Sequence, residues 1–232
     1  MFDCELQVVW EIQGKKMANL KVWGRKSSSN VQALMWCIGE LGLTYERTDA
    51  GLIYGHVDTP EYLSMNPNGT VPTVQDGTTP PLWETGAIIR YLANCYAPEE
   101  FWPAHPVERA NVDKWAEWSK INIALKFTVP VFWRVVRTPL SKRDPVAIEQ
   151  GLNVLNKFLD IADTELSKST YLAGEHFTLA DIQFGHCLFR YFDIDINRAE
   201  HPSVRRYYEA LTERAAFQEH VMVSYEELRV AD

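Results

Sequence analysis

Hydrophobic residues in the first hundred positions switch between short apolar runs and helical spacing. Apolar runs with period-2 or continuous character predict strands, whereas apolar residues recurring every three to four positions predict helices. An Asp-Gly pair between two short runs predicts a hairpin turn. These patterns predict strands at 20–23, 45–47, 71–72 and on both sides of 76–77, and helices at 31–41, around 62–63 and at 88–92. The predicted order is β-α-β-α-β-β-α.

After residue 106 helical spacing alone continues. Residues 97–106 are rich in proline and acidic side chains, which is typical of a linker. The pattern predicts a long helix through 115–125, which Pro130 ends or kinks, and a second helix over 146–166. Thr178 and Asp181 form a capping box ahead of a buried helix at 182–192, and Pro202 starts another helix that ends near Arg214.

These elements predict an α/β domain followed by an all-α domain. The expected boundaries are a terminal extension at 1–18, a first domain at 19–96, the linker at 97–106 and a helical domain at 107–232. The extension is either natural or introduced during expression, and its apolar run at 6–12 could add an edge strand or cover a groove.

Composition excludes several classes of function. A formal net charge of -8 over 232 residues argues against nucleic acid as a partner. No apolar run approaches the ~20 residues that span a bilayer, and no cleavable signal is seen, so we expect no membrane partner and a cytoplasmic location. The four cysteines are scattered without a CxxC pair, which argues against zinc and thioredoxin-type redox chemistry. No metal or cofactor is expected.

Two neighbouring motifs suit a zwitterionic peptide ligand. Pro72 opens a strand without a ladder donor, so an edge is left for another chain. If Pro72 is cis, the Val71 amide and carbonyl would face an extended peptide. Glu84 and Thr85 open the next helix, where free amides can hold a carboxylate while the Glu84 side chain takes an ammonium group.

Three blocks, NPNGTVPT at 66–73, ETGAI at 84–88 and FTLADI at 177–182, together resemble the cytosolic glutathione transferase superfamily. The similarity extends from about residue 20 to about residue 223. It implies a thioredoxin-like first domain that binds glutathione, an all-helical second domain that shapes the site for the other substrate, and a homodimer. The arrangement of Arg25, Ser28, Asn30 and Val31 is similar to a bacterial subgroup with a serine or asparagine in the loop.

The loop at 25–30 joins the first strand to the first helix. A thiol at a helix start faces a partial positive charge and ionises more easily than free cysteine, whose pKa is about 8.5. The resemblance places Ser28 at the thiol-activating position. Serine and asparagine are also common helix caps, so Asn30 and Ser27 remain alternatives.

The remaining glutathione contacts follow from the same resemblance. His56 is the leading candidate for the glycine carboxylate, with Arg25 and Lys26 as alternatives. Together with Ser27, Val71, Pro72, Glu84 and Thr85, His56 and Arg25 form the expected glutathione site. The loop lacks the cysteine that redox members use.

Side chains from the helical domain are expected to bind the electrophile. Arg190 lies inside an apolar segment, so it snorkels, pairs with an acid such as Asp193, or faces a ligand carboxylate, and structural pairing is favoured. Asp181 is interpreted as structural. The expected electrophile residues are Trp118, Phe127, Trp133, Arg134, Arg137, Arg190 and Tyr191.

The favoured function is conjugation of glutathione to small hydrophobic electrophiles, with reduction of organic hydroperoxides by the same thiolate as an added activity. Exchange between glutathione and disulfides is a second enzymatic alternative. A non-catalytic protein that carries apolar ligands is the third. A maleylacetoacetate-type isomerase is disfavoured, because Ser27-Ser28-Ser29 stands where that class has Ser-Ser-Cys.

Overall fold

The computed structural model describes residues 11–12 and 15–230 of the chain, which divides into two compact units. The boundary between the units falls between Pro98 and Glu99. The apolar run expected to add an edge strand lies outside the described residues over 6–10. Its last two residues, Glu11–Ile12, pair antiparallel with Lys16 and Lys15.

The first unit contains a mixed five-stranded sheet. Its strands are β1 (Glu11–Ile12), β2 (Lys15–Trp23), β3 (Leu43–Thr48), β4 (Thr73–Asp76) and β5 (Leu82–Trp83). β2 pairs parallel with β3 and antiparallel with β4, and β4 pairs antiparallel with β5. The residue pairs Trp23 with Thr48 and Trp23 with Thr73 place the ends of these three strands at one edge.

Among the residues that the structure describes, three α-helices complete this unit. They are α1 (Ser29–Glu40), α2 (Pro60–Met65) and α3 (Thr85–Tyr96), with a 3-10 turn at Leu52–Tyr54. α1 is buried at every position from Val31 to Ile38, which is the burial expected of the crossover helix between parallel strands. From β2 onward the predicted order β-α-β-α-β-β-α is confirmed.

The second unit begins at Glu99, and its first helix begins at Pro106. A continuous run of helical turns extends from Pro106 to Val136 and includes two π-helical stretches. Its parts are α4 (Pro106–Ser119), a π-helix at Lys120–Ala124, α5 (Leu125–Phe127), a π-helix at Thr128–Trp133 and α6 (Arg134–Val136). Pro130 lies inside the second π-helix. A proline has no N–H for the ordinary helical bond and its ring crowds the preceding turn, so a local change of helix type accommodates it without ending the run.

The remaining helices are α7 (Pro145–Leu166), α8 (Leu179–Gly185), α9 (Leu188–Asp193), α10 (Pro202–Thr212) and α11 (Ala215–His220). The prediction of a single helix over 182–192 was wrong, because α8 ends before His186 and α9 begins after Cys187. The His186 ring Nδ1 lies 3.1 Å from the Ile182 carbonyl. In an uninterrupted helix that carbonyl would accept the His186 amide, so the ring competes with the helical ladder at the break.

The capping box expected at the start of α8 is confirmed. Asp181 is fully buried, and its carboxylate accepts hydrogen bonds from the Leu172 amide at 3.1 Å, the Thr178 amide at 2.7 Å and the Tyr207 hydroxyl at 2.9 Å. The carboxylate therefore joins three segments of the helical unit. None of the helices in the described residues is both long enough and apolar enough to cross a membrane.

Candidate active site

Ser28 is the N-cap residue of α1, with φ -81° and ψ 123°. Its amide donates to the Arg25 carbonyl at 3.2 Å, and its carbonyl accepts the Gln32 amide at 2.8 Å. Within the described residues its side chain makes no capping hydrogen bond. The backbone of Ser28 is therefore fixed by the turn and the helix, while the hydroxyl remains uncommitted at the positive end of α1.

Two side chains that the sequence interpretation did not assign to the site hold this loop in place. Gln32, on the first turn of α1, is buried and donates from Nε2 to the Lys26 carbonyl at 3.1 Å. Arg47, from β3, donates from Nη1 to the Gly24 carbonyl at 2.6 Å. A Cβ at Gly24 would come within 2.5 Å of Val31 Cγ2, so only glycine fits this close approach. No local signal in the sequence marks either contact.

The turn before β4 is built around Asn66. This side chain is fully buried, and its Nδ2 donates to the Thr70 carbonyl at 2.9 Å and to Thr73 Oγ1 at 3.1 Å. The Tyr62 hydroxyl donates to the same Thr70 carbonyl at 2.7 Å. These bonds hold Thr70 and Thr73, which lie on either side of the Val71–Pro72 pair.

The Val71–Pro72 peptide bond is cis. β4 begins only at Thr73, which pairs with Trp83 of β5. Among the described residues, no backbone hydrogen bond uses the Val71 amide or carbonyl. Val71 therefore presents one donor and one acceptor at the strand edge.

Three loops of the first unit converge at Val71. A Cβ built on Gly24 would lie 3.4 Å from Val71 Cβ, and a Cβ built on Gly51 would lie 3.5 Å from Val71 Cγ1. The Arg25 guanidinium lies 3.0 Å from that same Gly51 position. The structure thus brings the loop before α1, the loop at 51–56 and the Val71 edge together.

Glu84 is the N-cap residue of α3 and has a positive φ of 68°. A non-glycine residue in such a sparsely populated conformation costs roughly 1–3 kcal/mol, and such outliers cluster at functional sites. Within the described part of the chain the Glu84 side chain makes no capping bond, and it is exposed. Thr85, the first residue of α3, is buried. The first amides of α3 and the Glu84 carboxylate are both available to a ligand.

His56 is exposed and also has a positive φ, of 70°. Its carbonyl accepts the Thr59 amide at 3.3 Å and the Thr59 hydroxyl at 3.0 Å. The backbone at His56 is therefore held by the start of α2, whereas its ring reaches solvent.

Two family models match the chain: the N-terminal domain of glutathione S-transferase at residues 18–94 and its C-terminal domain at 126–215. Glutathione S-transferase GstB of Escherichia coli (strain K12) is 33% identical over 205 residues, which cover 88% of this chain and 98% of GstB. The chain belongs to the glutathione S-transferase family. Glutathione S-transferase 3 of Zea mays is also 33% identical, over 88% of this chain and 94% of the maize protein.

A solved structure agrees with this assignment. The theta class glutathione S-transferase of the citrus canker pathogen Xanthomonas axonopodis pv. citri, with glutathione bound, has 41% sequence identity and a TM-score of 0.84. The match covers 89% of this chain and 98% of that one. The predicted glutathione transferase fold, a thioredoxin-like domain followed by a helical one, is confirmed.

In this member of the family, three of the expected electrophile residues lie inside the helical unit. Phe127 and Tyr191 are buried, with ring centroids 5.9 Å apart. Arg190 is buried with its guanidinium 4.8 Å from the Phe132 ring centroid and 5.6 Å from that of Tyr225. Cation–π contacts therefore accompany the burial of this charge.

The other expected electrophile residues are nearer the surface. Trp118 is half-buried and packs edge-on against Trp115, with ring centroids 5.1 Å apart. Trp133 is exposed, and the half-buried Arg137 places its guanidinium 4.6 Å from the Trp133 ring centroid. Arg134 is exposed. These four side chains have surface that a small molecule can contact.

The two buried cysteines of this glutathione S-transferase family member, Cys37 and Cys187, are poorly suited to redox chemistry. Burial raises the pKa of the Cys37 thiol far above its ordinary value, and it raises the pKa of Cys187 to about 11. A thiol with a raised pKa is a weak nucleophile at neutral pH. The described residues include no group of three or more His, Cys, Asp or Glu side chains that could hold a metal ion.

Proposed function

We propose that the chain transfers the glutathione thiolate to small hydrophobic electrophiles and that the Ser28 hydroxyl stabilises this thiolate. The observation that carries the proposal is the uncommitted Ser28 side chain at the start of α1. A hydroxyl N-cap ordinarily accepts a backbone amide. Here it is free to donate to a sulfur atom, and the amides of α1 add a partial positive charge.

The remainder of glutathione lies along the edge at Val71 in this proposal. The Val71 amide and carbonyl pair with the backbone of the cysteinyl residue, because that edge position has no partner within the described residues. The γ-glutamyl ammonium meets Glu84, and its carboxylate meets Thr85 and the first amides of α3. Pro72 fixes the direction of the chain at this edge.

The glycine end requires a cation. Arg25 lies against the Gly51 loop that leads to His56, so both side chains are proposed to bind the glycine carboxylate, and Ser27 supports the loop. Asn30 on the first turn of α1 is proposed as a second contact of the sulfur. A cation beside the carboxylate contributes a charge-assisted hydrogen bond.

The chemical step is a nucleophilic substitution. The ionised sulfur attacks an electron-poor carbon, a carbon–sulfur bond forms, and the leaving group departs with its electron pair. The thiol proton goes to solvent when the thiolate forms. Bound glutathione should therefore ionise below the value of about 8.5 found for a free cysteine thiol.

The helical unit is proposed to supply the electrophile contacts through Trp118, Trp133, Arg134 and Arg137, whose side chains keep accessible surface. The interior positions of Phe127, Arg190 and Tyr191 fit packing roles better. Domain limits at 19–96 and 107–232 are proposed as well. A boundary between Pro98 and Glu99 supports the linker at 97–106.

A homodimer in the cytoplasm completes the proposal. The dimer is taken from the family resemblance. Light scattering tests it directly, because a monomeric mass at micromolar concentration would contradict the dimer. A substrate panel distinguishes a chloroaromatic substrate from an organic hydroperoxide.

The test combines a substrate panel with a titration. One chloroaromatic, one organic hydroperoxide and one mixed disulfide are assayed with and without glutathione, using the natural chain, Ser28→Ala and the neighbouring control Ser29→Ala. We expect conjugation to dominate, and Ser28→Ala alone to raise the pH at which bound thiolate absorbance appears. A titration that is equal in all three proteins would remove Ser28 from the chemistry. Disulfide turnover above conjugation would favour the exchange alternative.

A further inference from the structure

The helical unit contains a cavity of about 370 Å³ where α9 ends and α10 begins. Its wall includes Tyr191, Phe192, Arg198, His201 and Arg205. The cavity lies at the lower end of the roughly 300–1,000 Å³ that is usual for small-molecule sites. It has no part in the glutathione-binding elements described above.

Two arginines in this wall carry charges that no described carboxylate neutralises through an ion pair. Arg198 donates from Nε to the Tyr191 carbonyl at 2.7 Å and from its two terminal nitrogens to the carbonyls of Ile196 and Ile194. These three bonds leave two of the five guanidinium N–H groups for other acceptors. Arg205 is exposed, with its guanidinium 4.7 Å from the Phe192 ring centroid.

Two buried polar atoms of the same wall have no hydrogen-bond partner among the described residues. They are the Tyr191 hydroxyl and His201 Nδ1, in residues that are 3% and 7% exposed. The opposite nitrogen of His201 lies 3.1 Å from Asp160 Oδ1. Buried polar atoms are seldom left unsatisfied, so each such atom calls for an explanation.

The Tyr191 hydroxyl is a hydrogen-bond donor in this setting. Burial raises its pKa, which outweighs the opposite effect of the nearby Arg198 and Arg205 charges. The phenol therefore keeps its proton and offers it beside two cations. A phenolic donor and two guanidinium groups form a set of donors that suits an anion.

We propose that this cavity binds a small aromatic carboxylate. Its carboxylate is held by Arg198, Arg205 and the Tyr191 hydroxyl, and its ring packs on the aromatic wall of Tyr191 and Phe192. Because the Tyr191 hydroxyl is closed to solvent, its contact with the carboxylate requires a displacement of a wall side chain, and the proposal assigns this to the exposed Arg205. Glu200 also lines the cavity, and its negative charge repels a dianion such as phosphate more strongly than a carboxylate with a single charge.

The test is calorimetric titration of the full chain with 4-bromobenzoate. Neutral 4-bromobenzyl alcohol and inorganic phosphate serve as ligand controls. We expect the carboxylate to bind at least about tenfold more tightly than either control, since it alone combines the ring with a single negative charge. No binding of the carboxylate, or equal affinity for the alcohol or phosphate, would overturn the proposal.

Two variants locate the site. Tyr191→Phe removes a hydroxyl that has no partner in the described structure, so its unfolding midpoint should not fall while its affinity for 4-bromobenzoate drops about tenfold. Arg205→Gln should lose a similar factor. Tyr208→Phe, a neighbouring tyrosine outside the cavity wall, should bind as the natural chain does. Unchanged affinity in both Tyr191→Phe and Arg205→Gln would place the ligand elsewhere and end the proposal.

A crystal soaked with the same bromine-labelled compound gives an independent measurement. The bromine signal is expected in the cavity next to Phe192. A signal found only at other positions would contradict the assignment, whatever affinity calorimetry reports. Because none of these measurements depends on turnover, they remain separate from the test of conjugation.

Discussion

The helices α1 and α8 begin with the same kind of residue, yet the two starts differ in what their side chains do. Ser28 caps α1 in backbone conformation only, without a side-chain bond in the described structure. Thr178 caps α8 fully, because its hydroxyl accepts the Ala180 amide at 3.3 Å and Asp181 completes the box. A helix start that satisfies its own amides contributes stability, whereas one that leaves a hydroxyl and amides uncommitted can bind an anion.

The start of α3 extends this contrast. Glu84 has a positive φ and makes no capping bond among the described residues, so neither its conformation nor its side chain stabilises the helix. A strained backbone conformation costs free energy in folding, and we take its presence at Glu84 as a sign that a ligand uses this residue. Two of the three helix starts therefore serve ligand binding in our proposal, and one serves the fold.

The largest expected effect is the loss of Asp181. Asp181→Ala removes the acceptor for the buried Leu172 amide and the buried Tyr207 hydroxyl. We expect the free energy of unfolding to fall by about 3–5 kcal/mol. Urea unfolding followed by tryptophan fluorescence measures this change. A loss below about 1 kcal/mol would mean that the box at α8 is no more important than an ordinary cap.

Ser28→Ala should have the next largest effect, and it should act on turnover. Removing a donor from a developing or resident negative charge costs about 100- to 1,000-fold in rate where the donor is well placed. The measurement is kcat/KM for conjugation at neutral pH. Ser29→Ala, one residue into the same helix, is the matched control and should retain most activity. Similar losses in both variants would indicate damage to the loop.

Glu84→Gln is expected to weaken glutathione binding by roughly 1–3 kcal/mol, because an ammonium group would lose its charged partner. The side chain keeps its length, so the change isolates the charge. Calorimetry with glutathione gives the affinity. An affinity equal to that of the natural chain would remove Glu84 from the site and leave Thr85 with the α3 amides alone.

The positive φ at Glu84 predicts a smaller effect, on stability. At this position a glycine should be more stable than an alanine, which is the reverse of the usual order. Glycine usually costs about 0.5–1 kcal/mol relative to alanine in an ordered element, but a positive φ reverses this preference. Glu84→Gly should therefore unfold with a free energy about 1 kcal/mol higher than Glu84→Ala. Both variants lack the carboxylate and should bind glutathione equally weakly. A less stable glycine variant would show that the conformation at Glu84 carries no strain.

Local signals in the sequence explain what could be predicted. The block at 66–73 places Asn66 and Pro72 where a rigid turn needs them, and Thr178 with Asp181 has the spacing of a capping box. Each signal lies within a few residues. The structure confirms the capping box, and the Val71–Pro72 bond is cis, which the sequence supported only as a condition. Short-range periodicity predicts strands mixed with helices in the first unit, whereas the specific thioredoxin-like topology was implied by the family resemblance.

Contacts between distant positions were not predictable in this way. Arg47 reaches the Gly24 carbonyl across 23 positions of sequence, and no pattern in either segment marks the pair. At the break between α8 and α9 a ring nitrogen of His186 lies 3.1 Å from the Ile182 carbonyl, a contact that helical periodicity does not detect. Burial of Tyr191 likewise depends on packing of the whole helical unit.

The smallest expected effect is the loss of stability in Ser28→Ala, and comparing it with Thr178→Ala tests the two helix starts most directly. Thr178→Ala deletes a hydroxyl that accepts an amide, so the free energy of unfolding should fall by about 1–2 kcal/mol. Ser28→Ala deletes a hydroxyl with no capping bond in the described structure, so the corresponding loss should stay below about 0.5 kcal/mol. Both substitutions are hydroxyl deletions at an N-cap, and both are measured by the same urea titration without glutathione. Equal losses would show that Ser28 caps α1 in solution, and the hydroxyl would then have to exchange the amide of α1 for the sulfur each time glutathione binds.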